Sequence, residues 1–120
     1  MPFTNLLRGL VSSVEGATGA LVVAADGEAV QWHSRTDDER LRLRSAYLVN
    51  ALQGYRAATI RMNVGELGHL VISYDGASFV VHALNLDYYL LIEMDSLANV
   101  ARAVYRIKQV LPEACRVFET

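Results

Sequence analysis

The sequence of 120 residues has the length of a typical single domain, and 52% of its residues are hydrophobic. Its formal net charge of -2 provides no basic surplus for neutralising phosphates, so nucleic-acid binding is not expected. One cysteine, Cys115, permits neither an internal disulfide nor a Cys-x-x-Cys site for zinc or redox chemistry.

We expect a cytoplasmic protein with no membrane insertion. The amino terminus has no basic n-region, and the apolar runs are shorter than a membrane span. No low-complexity linker or internal repeat divides the chain. The sequence therefore predicts one domain over residues 1–120, ordered over about 4–112, with 113–120 as a loose tail.

The first predicted element is a short amphipathic helix from Thr4 to Glu15. Thr4 can cap its first turn, and Gly16 can end it. The residues that recur at helical spacing on one face are Leu6, Leu7, Leu10, Val11 and Val14.

A β-hairpin is predicted next, because two apolar segments, 19–25 and 28–33, flank the turn dipeptide Asp26-Gly27. Both faces of the first segment are apolar, which indicates a strand inside the sheet with layers on both sides. A two-residue loop would pair Val23 with Val30 and Leu21 with Trp32.

The longest predicted helix covers residues 36–59. Its start reads as a capping box in which the Thr36 hydroxyl accepts from the amide of Glu39, whose carboxylate reaches back. The stripe predicted to face the core contains Leu41, Ser45, Leu48, Val49, Leu52, Tyr55 and Thr59.

The remaining circumference of this helix is also nearly free of charge after the arginines of its first two turns. Its residues are short or apolar: Leu43, Ala46, Tyr47, Asn50, Ala51, Gly54, Ala57 and Ala58. A helix that is apolar nearly all round is buried on more than one side, and the chain has few other helices to cover it. We therefore expect a second molecule as the cover. The alternative is that alanine is frequent here only because it favours helix formation.

The last part of the chain predicts a three-stranded meander over residues 66–74, 77–84 and 88–93, followed by a helix over 96–111. Asp95 or Ser96 would cap this helix and Pro112 would end it. The apolar stripe of the helix contains Leu97, Val100, Val104, Ile107 and Leu111.

Chemical sites are few in this sequence. A two-residue turn at Asp75-Gly76 would place His69 opposite His82, but two ligands do not make a metal cage, so we expect no metal. A hydrogen-bonded pair and a pH-sensitive element are the alternatives. No phosphate-binding loop and no nucleophile elbow is present, and Cys115 has no histidine near it in sequence. We expect a protein that is not an enzyme and needs no cofactor.

The order of elements and the segment GATGALVVAADGEAV, residues 16–30, resemble the roadblock family over about Leu6 to Leu111. This family includes the roadblock-type dynein light chains and the MglB-type bacterial regulators of Ras-like GTPases. The resemblance implies a three-layer α/β fold of the α+β, profilin-like type. In it a five-stranded antiparallel sheet has the long helix on one face and the terminal helices on the other.

The resemblance also implies a homodimer, in which edge strands join into one continuous sheet and the long helices pack side by side. Carried onto this chain, the dimer interface would contain Arg44, Tyr47, Ala51, Ala58, Leu67, His69, Val71 and Ser73. An apolar edge strand left unpaired would be an aggregation hazard, which such a dimer removes.

Members of the MglB type bind a small GTPase across the paired long helices without donating a catalytic arginine. The corresponding docking residues here would be Arg40, Leu43, Ala46, Asn50 and Gly54. The expected function is thus a non-enzymatic homodimeric regulator or co-activator of a small Ras-like GTPase. The alternatives are a passive scaffold or adaptor dimer of the dynein light chain type, and a small-molecule sensor domain. A shortage of polar groups that could converge inside an apolar pocket disfavours the sensor.

Overall fold

The computed structural model describes residues 2–95 and 98–118. The order of elements is the predicted one: helix, two strands, helix, three strands, helix. The elements are α1 (Pro2–Ser13), β1 (Ala17–Ala24), β2 (Ala29–Ser34), α2 (Asp38–Arg61), β3 (His69–Ser73), β4 (Ser78–Ala83), β5 (Tyr88–Met94) and α3 (Val100–Val117).

The five strands form one antiparallel sheet in the order β2-β1-β5-β4-β3. Strand β1 pairs with β2 on one side and β5 on the other, so its predicted place inside the sheet is confirmed. The sheet ends at β2 on one edge and at β3 on the other.

Two apolar layers cover the two faces of the sheet. Alternate residues of β1 divide between them: Ala20 and Val22 pack with α1 and α3, and Leu21 and Val23 pack with α2. The implied three-layer arrangement, with the long helix on one face and the terminal helices on the other, is therefore confirmed.

The β1–β2 hairpin follows the prediction only in part. Leu21 lies opposite Trp32 as expected, but a bulge after Val22 places Val23 opposite Ala29 instead of Val30. The two-residue loop is wrong because the turn is longer, with Gly27 at a φ of 94°. A bulge of this kind adds one residue to one strand and shifts the register beyond it.

The starts of the first two helices differ from the prediction. α1 begins at Pro2, and Thr4 is not its cap, because the Thr4 hydroxyl donates to Gln31 Oε1 at 3.1 Å. For α2 the cap is Asp37 and not Thr36. The Asp37 carboxylate accepts from the amides of Glu39 and Arg40 at 3.0 and 3.2 Å. A carboxylate at this position also stabilises the positive end of the helix dipole.

The last helix begins and ends later than predicted. Its cap is Asn99, whose side chain accepts from the amide of Arg102 at 3.1 Å. Ser96 and Leu97, which the prediction places in the first turn, lie outside the described residues.

Pro112 does not end α3, which continues to Val117. The helix therefore runs through most of the segment for which a loose tail is predicted. Proline removes one helical hydrogen bond, but the turns beyond it bury Ala114 and pack Phe118 edge-to-face on Phe3 at 4.8 Å. This packing offsets the lost bond. Residues 119 and 120 lie outside the described part of the chain.

Candidate interaction surface on the long helix

The inward face of α2 is narrower than its sequence pattern predicts. Its buried residues are Leu41, Ser45, Leu48, Val49 and Leu52. Tyr55, predicted to face the core, is 54% exposed, and Arg56 turns inward in its place. Two groups explain the exchange: Arg56 Nη1 donates to the Tyr89 hydroxyl at 2.8 Å and to the Asn85 carbonyl at 3.3 Å.

Burial would by itself lower the pKa of Arg56, but the hydrogen bonds and charges of Tyr89 and Glu66 outweigh it and raise that pKa. The Glu66 carboxylate lies 3.4 Å from Arg56 Nη2. Arg56 therefore remains charged and ties the connector before β3 to the middle of the fold.

A groove separates α2 from the β3–β4 hairpin, because α2 packs mainly over β2, β1 and β5. One section of the groove, of about 430 Å³, is lined by Arg40, Arg44, Tyr74, Gly76, Ala77 and Phe79. A neighbouring section of about 290 Å³ is lined by Arg44, Tyr47, Leu48, Tyr74 and Phe79. The groove is thus apolar at its base and bounded by two arginines at one end.

The flank of α2 beside this groove carries exposed large side chains. Tyr47 is 71% exposed, and Tyr55 lies two turns further along the helix. Ala51 between them is exposed, and Ala58 beyond them is half-buried. Of the predicted interface, Tyr47, Ala51 and Ala58 therefore lie on one continuous strip along the open side of the helix.

The predicted interface residues on β3 belong to the free edge strand of the sheet, but their side chains lie on the face opposite the groove. His69, Val71 and Ser73 share a face with their partners on β4, and the partner of Val71, Val80, packs in the α1–α3 layer. Leu70 and Ile72 point to the α2 side instead. The interface residues predicted individually on β3 are those of the other face, because side chains alternate between the two faces along a strand. Leu67, in the connector before β3, packs against the same layer.

Arg44 has a second role that the sequence interpretation missed. Its Nη1 lies 2.9 Å from Glu93 Oε2, and the other oxygen of Glu93 accepts from the Thr18 hydroxyl at 2.7 Å. The side chains of Arg44 and Glu93 are 41% and 7% exposed. Arg44 therefore links α2 to a nearly buried carboxylate in the middle of the sheet. No sequence signal connects these residues, because 49 positions separate them.

The predicted docking residues divide between two sides of α2. Leu43, Asn50 and Gly54 are exposed, and Gly54 has open space where a Cβ would lie. Arg40 lines the groove instead. Ala46 is half-buried beside Gly27, on the side where Gln53 Nε2 donates to the Ala25 carbonyl.

Within the described residues, no three or more histidine, cysteine, aspartate or glutamate side chains are grouped to hold a metal ion. None of the described helices is long and apolar enough to cross a membrane.

Comparison with protein-family models finds no match, and no curated protein sequence matches the chain. Comparison with solved structures does. A Roadblock/LC7 domain from Streptomyces avermitilis superposes with a TM-score of 0.86 at 21% identity, covering 98% of each chain. The chain has the Roadblock/LC7 fold.

Two proteins of Myxococcus xanthus share this roadblock fold. MglB superposes with a TM-score of 0.86 at 13% identity, covering 99% of this chain and 96% of MglB. MglC superposes with a TM-score of 0.74 at 20% identity, covering 98% of this chain and 100% of MglC. The resemblance to the roadblock family seen in the sequence is therefore confirmed in the fold.

Proposed function

We propose that this chain is a non-enzymatic, cytoplasmic homodimer that regulates a small Ras-like GTPase. The observation that carries the proposal is the open strip on α2, with exposed Tyr47 and Tyr55 beside an apolar groove and the free β3 edge. Exposed aromatic side chains next to an unfilled groove are typical of a protein–protein interface.

A second copy of the chain would cover the β3 edge, the exposed strip on α2 and the groove in one symmetric interface. Pairing β3 with β3 would continue the sheet and satisfy the backbone groups that an edge strand leaves free. The same symmetry would bring the two α2 helices side by side, with Tyr47 and Ala51 between them. The groove would then be covered by the partner's helix.

The outward residues of α2 supply the second half of the proposal. Leu43 and Asn50 point away from both the sheet and the groove, so pairing of the helices would leave them exposed on a joint surface. Regulators of the roadblock family use such a surface for a small GTPase, and the fold similarity supports the same use here.

The first experiment is the mass in solution, by light scattering behind a sizing column at several concentrations. We expect twice the chain mass of 13.3 kDa for the wild type. Tyr47→Glu should give a monomer, because it places a charge in the interface. Tyr105→Glu is the matched control, since Tyr105 is an exposed tyrosine on α3, on the other face of the sheet. A monomeric wild type, or a dimeric Tyr47→Glu variant, would contradict the proposed interface.

The second experiment is GTPase binding with GDP and with a GTP analogue. We expect affinity to depend on the nucleotide and to be lost in Leu43→Arg and Asn50→Arg. Gln109→Arg, exposed on α3, should bind like the wild type. Unchanged affinity in both α2 variants would remove the docking surface. Equal affinity for the GDP-bound and GTP-analogue-bound GTPase would instead indicate a passive scaffold of the dynein light chain type.

A further inference from the structure

Two histidines face each other across the strand pair at the β3 edge. His69 of β3 lies opposite His82 of β4, with ring centroids 6.0 Å apart and ring planes inclined by 21°. Both residues are half-buried. Strand β3 pairs only with β4, so the interactions across this pair decide how firmly the edge is held.

The charged groups that act on His82 are basic. Lys108 of α3 and His69 are the charges that influence it, and its neighbour on β5 is the apolar Leu90. Burial, above all, and then these two positive neighbours hold the pKa of His82 below its ordinary value of 6.5. No carboxylate of the described residues is among the groups that shift this pKa.

The neutral form of His82 is also fixed in one tautomer. Its Nδ1 lies 2.9 Å from the Ala83 carbonyl oxygen, which can only accept, so Nδ1 carries the proton. Nε2 is then free of a proton while the ring is neutral. A divalent cation is nevertheless disfavoured here, because Lys108 is close and no third ligand is grouped with the pair among the described residues.

We propose that the His69–His82 pair makes the β3 edge sensitive to pH. A neutral His82 accommodates the β3–β4 pairing, whereas its protonation places a cation against the His69 ring and next to Lys108 and loosens the edge strand. The consequence for assembly rests on the proposed function, in which β3 joins the two copies. In that dimer, mildly acidic pH would weaken the association.

The direction of the effect follows from proton linkage. Between its unfolded and folded pKa values, His82 binds more protons in the unfolded chain, so stability is full above about pH 6.5 and falls as the pH drops below it. We therefore expect β3 protection to fall by at least about threefold between pH 7.5 and 5.5, above the range in which ordinary carboxylates titrate.

The test compares four chains at pH 7.5 and 5.5: wild type, His69→Asn, His82→Asn and the control His33→Asn. His33 lies on β2, at the opposite edge of the sheet. The readouts are the hydrogen-exchange protection factors of the β3 amides, corrected for intrinsic exchange, and the mass by light scattering. Each variant is compared with itself at the two pH values, so a loss of stability common to both conditions cancels.

We expect the wild type and His33→Asn to lose β3 protection on acidification. In His69→Asn and His82→Asn, the factor by which protection falls should be at least three times smaller. An unchanged wild type, or an equal loss in all four chains, would overturn the proposal. The mass separates this result from the proposed function. A chain that is monomeric at both pH values overturns the dimer, while the β3 protection factors still decide the role of the histidine pair.

Discussion

Replacing Arg44 by methionine tests how far the flank of α2 is held by the sheet beneath it. The substitution keeps an unbranched side chain but removes the cation 2.9 Å from Glu93, whose side chain is 7% exposed. Breaking a fully buried ion pair costs about 3–5 kcal/mol. Because 41% of the Arg44 side chain is exposed, water screens the pair, and Thr18 still donates to the carboxylate. We expect a loss of about 1–3 kcal/mol in the free energy of unfolding.

The matched control is Arg40→Met. Arg40 lies one turn earlier on the same flank and lines the same groove, but it is exposed at the start of the helix. Its replacement should change the free energy of unfolding by less than about 0.5 kcal/mol. Urea unfolding at pH 7.5 measures both variants, at several protein concentrations so that any dimer contribution can be subtracted. Equal losses in the two variants would refute a structural role for the Arg44–Glu93 pair.

Two further substitutions test the other face and the start of α2. Ser45→Ala should stabilise the protein by about 0.5–1 kcal/mol more than Ser12→Ala, an exposed helical serine, because Ser45 Oγ is buried without a hydrogen-bond partner among the described residues. A smaller gain in the free energy of unfolding at Ser45 than at Ser12 would indicate that Ser45 Oγ is hydrogen-bonded. Asp37→Ala should lower the free energy of unfolding by about 1 kcal/mol, because Asp37 caps the helix. Thr36→Ala should lower it by clearly less. The reverse order in urea unfolding would identify Thr36 as the cap.

Local patterns predicted the order of elements and part of their pairing. At Asp75-Gly76 the local pattern was sufficient. The backbone amide of Tyr74 donates to the Ala77 carbonyl at 2.7 Å, so the loop has two residues and His69 pairs with His82 as predicted. The same dipeptide at residues 26–27 gives a longer turn. There the backbone amide of Ala25 donates to the Asp87 carbonyl, a contact between residues far apart in sequence. No pattern within the hairpin contains that information.

The candidate surface was predicted less completely than the fold, for a related reason. Hydrophobicity favours Tyr55 over Arg56 as the inward residue, but the hydroxyl of Tyr89 lies where a guanidinium can bind it. The family resemblance predicted Arg44 as an interface residue only, and its ion pair with Glu93 of β5 was missed because the two residues are far apart in sequence. Helical periodicity identifies the faces of a helix. Which residues at the border of a face point inward depends on contacts with the rest of the fold.

The uneven cover of the sheet is the physical reason to expect a second copy on the α2 side. On the opposite face, α1 contacts β1 and β2 and α3 contacts β4, so two helices share the width of the sheet. On the α2 side a single helix lies over β2, β1 and β5, and the remaining width is the groove beside Tyr47. A helix is the element that matches this missing width. If a helix of another protein fills it instead, Tyr47→Glu would abolish that binding and leave the mass of the isolated chain unchanged.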